Sequence, residues 1–204
     1  MPGKKVPEDQ RREQILSAAY RVALRRRLAN LSSRAVASEA GVSNGLVFFH
    51  FRNRSELLLA LLDWLLEKTI LRRAADRSAL QGKASAQLAA EIRNAVDGLP
   101  ESRQSIELFF DFWFMSSHDE VIRERIRLAM KRYRDSYLPL ASAVVAERTE
   151  RFAKVSGECL ADMATMFIEG CALRLIVEPG SCDVAAYSEA IAALFATKST
   201  KDTK

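Results

Sequence analysis

At 204 residues, with 49% hydrophobic and 28% charged side chains, the chain is long enough to bury a real core and too apolar for wholesale disorder. Eight glycines and five prolines are few turn formers for this length, and the abundance of Ala, Leu and Arg points to an all-α protein with short connections. The net charge of +5 is unevenly spread: residues 1–54 hold eleven Lys and Arg against four acids, a net +7, while the remaining 150 residues stand at −2. A basic end on a near-neutral body suits a polyanion at that end and something else at the other.

Residues 1–7 read as a basic arm. A helix is predicted from Glu8 to about Leu28, with Ile15, Leu16, Ala19, Val22 and Ala23 on one face. Asn30 is expected to take the left-handed conformation that ends it. Ser32 or Ser33 then caps a short helix, Arg34 to Ala40, Gly41 makes a turn, and Ser43 caps a second short helix through Phe49. Asn53 with Glu56 three residues on forms a capping arrangement opening a long helix to about Arg73. Further helices are predicted over Lys83 to Val96, over Ser105 to Ser116, from Asp119 with a bend near Pro139, over Gly157 to Val177 and over Val184 to Ala196.

The sharpest local signal is the pair of short helices around Gly41. Ala37 allows them to cross closely and Gly41 tolerates the positive φ of the turn. Val36, Val42 and Val47 pack the inner side, which leaves Ser43, Asn44, Leu46, Phe48 and Phe49 outward, placed to enter a DNA major groove.

Joined to Ile15-Leu-Ser-Ala-Ala before it and to Arg54 and Leu57-Leu58 after it, the run Ser33 to Phe51 resembles the N-terminal DNA-binding domain of the TetR family of transcriptional regulators. The second half is similar, more weakly, to the family's choline-responsive repressor branch, through Phe110 to Trp113, the Arg-rich helix after Asp119, and Phe167 to Leu175. The resemblance implies a three-helix helix-turn-helix domain over 1–53 and a helical effector-binding and dimerisation domain over 54–204. It implies base contacts from Arg34 and Asn44, and backbone contacts from Ser33, Ser43, His50 and Arg54, with Lys4, Lys5, Arg11 and Arg12 adding phosphate contacts. Where the family commonly places a hydroxyl and an imidazole, the chain has Phe48 and Phe49. Recognition is therefore expected to be more apolar, with Leu46 or Phe49 on thymine methyls.

The aromatic run Phe109 to Met115 covers more than one helix face. Two readings stand: pure core packing, or a small-molecule pocket lined by Phe110, Trp113 and Phe114 together with Met130, Tyr133, Tyr137, Met166 and Glu169. A quaternary amine would suit such aromatic faces and the Glu169 carboxylate. Ala164, Phe167, Cys171, Leu175, Tyr187, Ile191 and Leu194 are expected to build a homodimeric four-helix interface, with a monomer core as the alternative.

Other function classes find little support. The two histidines, His50 and His118, show no metal-ligand spacing, so no metal or other cofactor is expected. No Ser/His/Asp order or phosphate loop suggests an enzyme. Three cysteines without a CxxC pair read as buried reduced thiols. Lys4 and Lys5 are not followed by an apolar run, and Asp162, Glu169 and Arg174 interrupt the most apolar stretch. A soluble cytoplasmic regulator, homodimeric, released from a palindromic double-stranded DNA operator by a small-molecule effector, is the reading that follows.

Overall fold

The computed structural model describes residues 7–71, 82–147, 154–179, 183, 185–187 and 189–190. Among them every long regular element is a helix: α1 (Glu8–Arg26), a 3-10 turn (Leu28–Asn30), α2 (Ser33–Ala40), α3 (Asn44–His50), α4 (Arg54–Leu66), a π-helical turn (Glu67–Leu71), α5 (Ala84–Asp97), a second 3-10 turn (Pro100–Ser102), α6 (Arg103–Met115), α7 (Glu120–Glu147) and α8 (Gly157–Val177). The all-α class is as expected. Two compact units form, one from residues up to Ile70 with Gln104–Arg127, the other from Leu71–Arg103 with Leu128 onward.

In the first unit the helix boundaries are written in capping side chains. Ser32 Oγ accepts from Ala35 N, Ser43 Oγ from Leu46 N, and Asn53 Oδ1 from Glu56 N at 2.8 Å. The Glu56 carboxylate accepts in turn from Arg52 N, one residue ahead of the cap, a close relative of the capping box, in which that bond would come from the N–H of the cap residue itself. Gly41 stops α2 at φ 65°, ψ 35°, with its N–H on the carbonyls of Ala37 and Ser38, a left-handed stop that glycine reaches without Cβ cost.

The apolar periodicity then dictates which faces meet. Ile15, Leu16, Ala18, Ala19, Val22 and Ala23 of α1 are buried, as are Val36, Ala37 and Ala40 of α2, Val47 of α3 and the Leu stripe of α4. Each large side chain so buried contributes about 1.5–3 kcal/mol, and the alanines let α1 and α2 approach closely. Polar ties fix the register: Gln14 Nε2 donates to the Ala40 carbonyl at 2.8 Å, and Glu39 of α2 receives both Arg21 and Arg25 of α1.

The end of α1 departs from expectation. Arg27, not Asn30, adopts the positive φ, at φ 63° and ψ 161°. Asn30 instead lies in the 3-10 turn and donates from Nδ2 back to the Arg26 carbonyl. The helix ends earlier than its apolar pattern suggested because Leu28 and Leu31 turn inward and are buried. A non-glycine residue in this region costs on the order of 1–3 kcal/mol. The Arg27 guanidinium lies 3.9 Å from Glu107 and 3.6 Å from Asp111, both on α6, which offsets part of that cost.

In the second unit, Leu88, Ile92 and Val96 of α5, Tyr133, Tyr137, Ala141 and Val144 of α7, and Leu160, Ala164, Ile168, Cys171 and Leu175 of α8 are buried. Helix α7 runs through Pro139 without interruption, and Pro139 sits on its exposed side. Gly157 is required where α8 begins: a Cβ there would lie 2.3 Å from Ser142 Oγ and 3.0 Å from Ser142 Cα. The cysteines are not uniformly buried. Cys171 is, but Cys159 is exposed, because it lies on the outer side of the first turn of α8; Cys182 lies outside the described residues. Most of the helix expected over Val184 to Ala196 also lies outside them, with Ala185 to Tyr187 and residues 189–190 helical.

Candidate DNA-reading surface and the second unit

Helix α3 is seven residues long and is anchored by one fully buried side chain, Val47, with Phe51 buried just beyond its end. The remaining residues of the helix are exposed or half-buried. Ser43 is exposed at the N-cap, and Leu46 and His50 are half-buried. Phe48 is 46% exposed and Phe49 73% exposed, with the Phe49 ring edge-on to His50 at 5.3 Å. Asn44 is half-buried, and its Oδ1 is enclosed without a hydrogen-bond partner.

On α2, Ser33 is half-buried and Arg34 is exposed, with no ion-pair partner for Arg34 among the described residues. An exposed guanidinium with no ion-pair partner among the described residues is available to an external anion.

The other arginines assigned to DNA are used differently. Arg54 donates from Nε to the Leu31 carbonyl at 3.0 Å and from Nη2 to those of Leu28 at 2.6 Å and Ala29 at 3.3 Å. It ties the start of α4 to the 3-10 turn, and three carbonyl dipoles compensate a cation at a helix N-terminus. Arg12 places its guanidinium 4.5 Å over the Phe51 ring and donates to the His50 carbonyl, so it braces the end of α3. Arg11 bonds Gln14. Lys4 and Lys5 lie outside the described residues. The ties of Arg12 and Arg54 are not visible in the sequence, since the carbonyls that accept them are remote in the chain.

The residues considered for a small-molecule pocket divide between the units. In the first, Phe110 is half-buried, Trp113 and Phe114 are exposed, and buried Phe109 makes edge contacts with Phe110 and Trp113. His118 is exposed beside Phe114. In the second, Tyr133 and Tyr137 are buried in an edge-to-face pair with centroids 5.4 Å apart. Met130 is half-buried and Met166 exposed. Glu169 is half-buried, and that burial, with the nearby charge of Asp162 adding to it, raises its carboxyl above the ordinary range.

Of the residues considered for a dimer interface, Ala164, Cys171 and Leu175 are buried within the protomer, and Phe167 is half-buried with its ring edge-on to Tyr187. Ile191 and Leu194 lie outside the described residues. The solvent side of α8 carries a different stripe: Met163, Met166, Leu173 and Val177, all exposed, with exposed Gly170 between them. Its spacing of three and four was present in the sequence, but α8 is apolar on both sides and periodicity alone did not choose between them. Among the described residues, no cluster of His, Cys, Asp or Glu is placed to hold a metal ion, and no helix is long and apolar enough to cross a membrane.

A model of the N-terminal domain of bacterial regulatory proteins of the tetR family matches residues 15–61. A model of the C-terminal region of BetI-type transcriptional repressors matches residues 84–198. Over 56 residues the chain is 43% identical to the HTH-type transcriptional regulator TtgR of Pseudomonas putida, covering 28% of this chain and 27% of that protein. Over 110 residues it is 32% identical to the HTH-type transcriptional activator FasR of Mycolicibacterium smegmatis, covering 54% of this chain and 43% of that one. The matches therefore span less than half the length of either relative. The fold is similar to that of a TetR transcription regulator from Haloarcula marismortui (TM-score 0.76, 20% identity, covering 92% of this chain and 97% of that one). It is also similar to that of a transcriptional regulator from Saccharomonospora viridis in complex with choline (TM-score 0.72, 21% identity, covering 92% and 96%).

Proposed function

Because the chain belongs to the TetR family of bacterial regulatory proteins, with a BetI-type repressor C-terminal region, we propose that this DNA-binding transcriptional regulator is a homodimeric repressor that leaves a two-fold operator when a small molecule binds its second unit. The observation that carries the reading is the outer surface of α2 and α3. It presents exposed Arg34, Ser43, Phe48 and Phe49 beside half-buried Asn44, on a helix pair whose inner side is locked by Val36, Ala37 and Val47. No catalytic step enters this reading, and the cytoplasm is where such a protein would work.

One short reading helix makes few base contacts, so a second copy is the physical remedy: two such helices roughly 34–36 Å apart meet successive major grooves. The exposed stripe on α8 is the surface we assign to that second copy. It runs Met163, Met166, Leu173, Val177 with Gly170 exposed and open at its centre, so two such helices can approach closely. An effector acts by preferring the form that does not fit DNA, since a ligand indifferent to the two forms shifts nothing.

For the effector we favour an organic cation held by the second unit's Tyr133, Tyr137 and Glu169. Aromatic rings attract a cation, and a carboxylate whose burial is uncompensated gains most from receiving one. Choline is the first probe. It should raise the melting temperature of the wild type, and Glu169→Gln should be more stable at neutral pH yet unresponsive.

The central test is fluorescence anisotropy of the full chain on duplexes from upstream of its own coding region and on scrambled duplexes of equal length. Tight binding to one upstream duplex, lost in Arg34→Ala, supports specific reading by this surface. Equal binding to all duplexes would replace it with a sequence-blind binder. A reporter assay on the same duplex decides repression against activation.

A further inference from the structure

We infer that Phe49 is the specificity-determining residue of α3 and that it reads thymine through the C5-methyl group in the major groove. The inference rests on the DNA-binding reading above and adds which chemical feature of the base is recognised.

Phe49 is 73% exposed, although its helix has no need of an outward aromatic. Val47 and Phe51 already supply the buried contacts that hold α3 in place. The ring is not loose: it rests edge-on against His50 at 5.3 Å, and the His50 carbonyl is in turn held by Arg12. Leu46 is half-buried and Phe48 is 46% exposed, so both other apolar candidates on the helix present less surface.

Position in the helix adds to the case. Side chains of a helix lean toward its N-terminus, over the residue four positions earlier. For Phe49 that residue is Gly45, which is exposed and has no atom closer to its notional Cβ than Ser43 Oγ at 4.0 Å. Gly45 therefore leaves the face of α3 toward which Phe49 leans without a side chain. Phe49 is the sixth of the seven residues of α3, so it reaches a base only by this lean toward the N-terminal half that enters the groove, and Gly45 puts no side chain in the way.

The chemistry of the ring then selects its partner. A phenyl group has no hydroxyl or imidazole to bond a phosphate oxygen or a base edge. The apolar feature that distinguishes one base from another in the major groove is the thymine methyl, and Phe is among the side chains suited to it. Deoxyribose is also apolar, but it is common to all sequences and would confer no selection.

The experiment uses the full chain and the upstream duplex that binds best in the anisotropy assay. Each thymine is replaced in turn by deoxyuridine, which deletes the methyl and changes nothing else at the base edge. Wild type should lose affinity about three- to fivefold at one or two thymines in each half-site, the effect expected for one buried methyl. Phe49→Ala should bind more weakly and respond equally to thymine and uracil at those positions, with an unchanged helical spectrum because the ring is exposed. Wild-type affinity indifferent to every replacement would overturn the inference while leaving DNA binding intact. Retention of the full uracil penalty in Phe49→Ala, or its loss in Phe48→Ala alone, would overturn the assignment to Phe49. If no duplex binds at all, the DNA-binding reading fails and this inference goes with it.

Discussion

Helices α3 and α8 both turn apolar side chains to solvent, but in opposite styles. On α3 the exposed apolar groups are two adjacent phenyl rings among polar neighbours, Ser43, Asn44 and His50. On α8 they form a file one side chain wide, Met163, Met166, Leu173 and Val177, along the length of the helix. Isolated apolar points in a polar field fit a polar partner with isolated apolar features, as a DNA groove is. A continuous file fits another apolar file, as a second copy of the chain offers. The contrast teaches that exposure alone does not identify a partner; its arrangement along the helix does.

The contrast can be broken most severely on α8. Met166→Glu with Leu173→Glu should convert the proposed dimer to a folded monomer in sedimentation velocity, while Phe48→Glu with Phe49→Glu should leave the assembly state unchanged. A dimer that survives the first pair would remove α8 from the interface. The next largest effect belongs to the residue beneath the α3 rings. Val47→Asp buries an unpaired charge and should destabilise the first unit by more than about 3 kcal/mol in chemical denaturation, abolishing DNA binding for a reason unrelated to contacts.

Smaller effects sharpen what holds the reading surface. Arg54→Ala removes the donors to Leu28, Ala29 and Leu31 and should cost about 1.5–3 kcal/mol of stability. Arg54→Lys should recover little of it, since an ammonium lacks the planar fork. Smallest is the link between α1 and α2. Hydrogen bonds from Arg21 and then Arg25 hold the Glu39 carboxyl below its ordinary 4.5. A depressed folded-state value means the stabilisation is full above about 4.5 and is lost as the pH falls through the folded value. The pair is exposed, so the effect should be slight: an acid-side loss of melting temperature in wild type that is absent in Glu39→Gln.

What was legible in the sequence was local. Gly41, Ser43 and the Asn53–Glu56 pair act on main-chain groups two to four residues away, and each stands in the structure where its type and spacing placed it. What escaped was remote or ambiguous. Arg12 and Arg54 look like phosphate ligands because charge is visible in a sequence, while the carbonyls that occupy them become neighbours only after folding. The two sides of α8 could not be ranked because Ala164, Cys171 and Leu175 are as apolar as Met163, Met166 and Leu173. Asn30 was the natural left-handed stop, yet the chain turned at Arg27, where ion pairs to Glu107 and Asp111 hold the strained backbone.

The internal employment of so many arginines bears on ionic strength. Binding to DNA weakens with added salt by a log–log slope of about 0.9 per phosphate neutralised, because each neutralised phosphate releases a condensed counterion. Counted from sequence, each reading head brings eleven cations to that ledger. In the structure Arg11, Arg12, Arg21, Arg25, Arg27 and Arg54 already face side chains or carbonyls of their own chain, and releasing one to a phosphate would exchange one partner for another. Arg26, Arg34 and Arg52 remain exposed without a side-chain partner among the described residues. With Lys4 and Lys5, which lie outside the described residues, five of the eleven are left; a measured slope nearer five than eleven per head would mean that this regulator holds DNA by fit rather than by bulk charge, and that its grip would persist at salt concentrations that strip a more basic binder from the duplex.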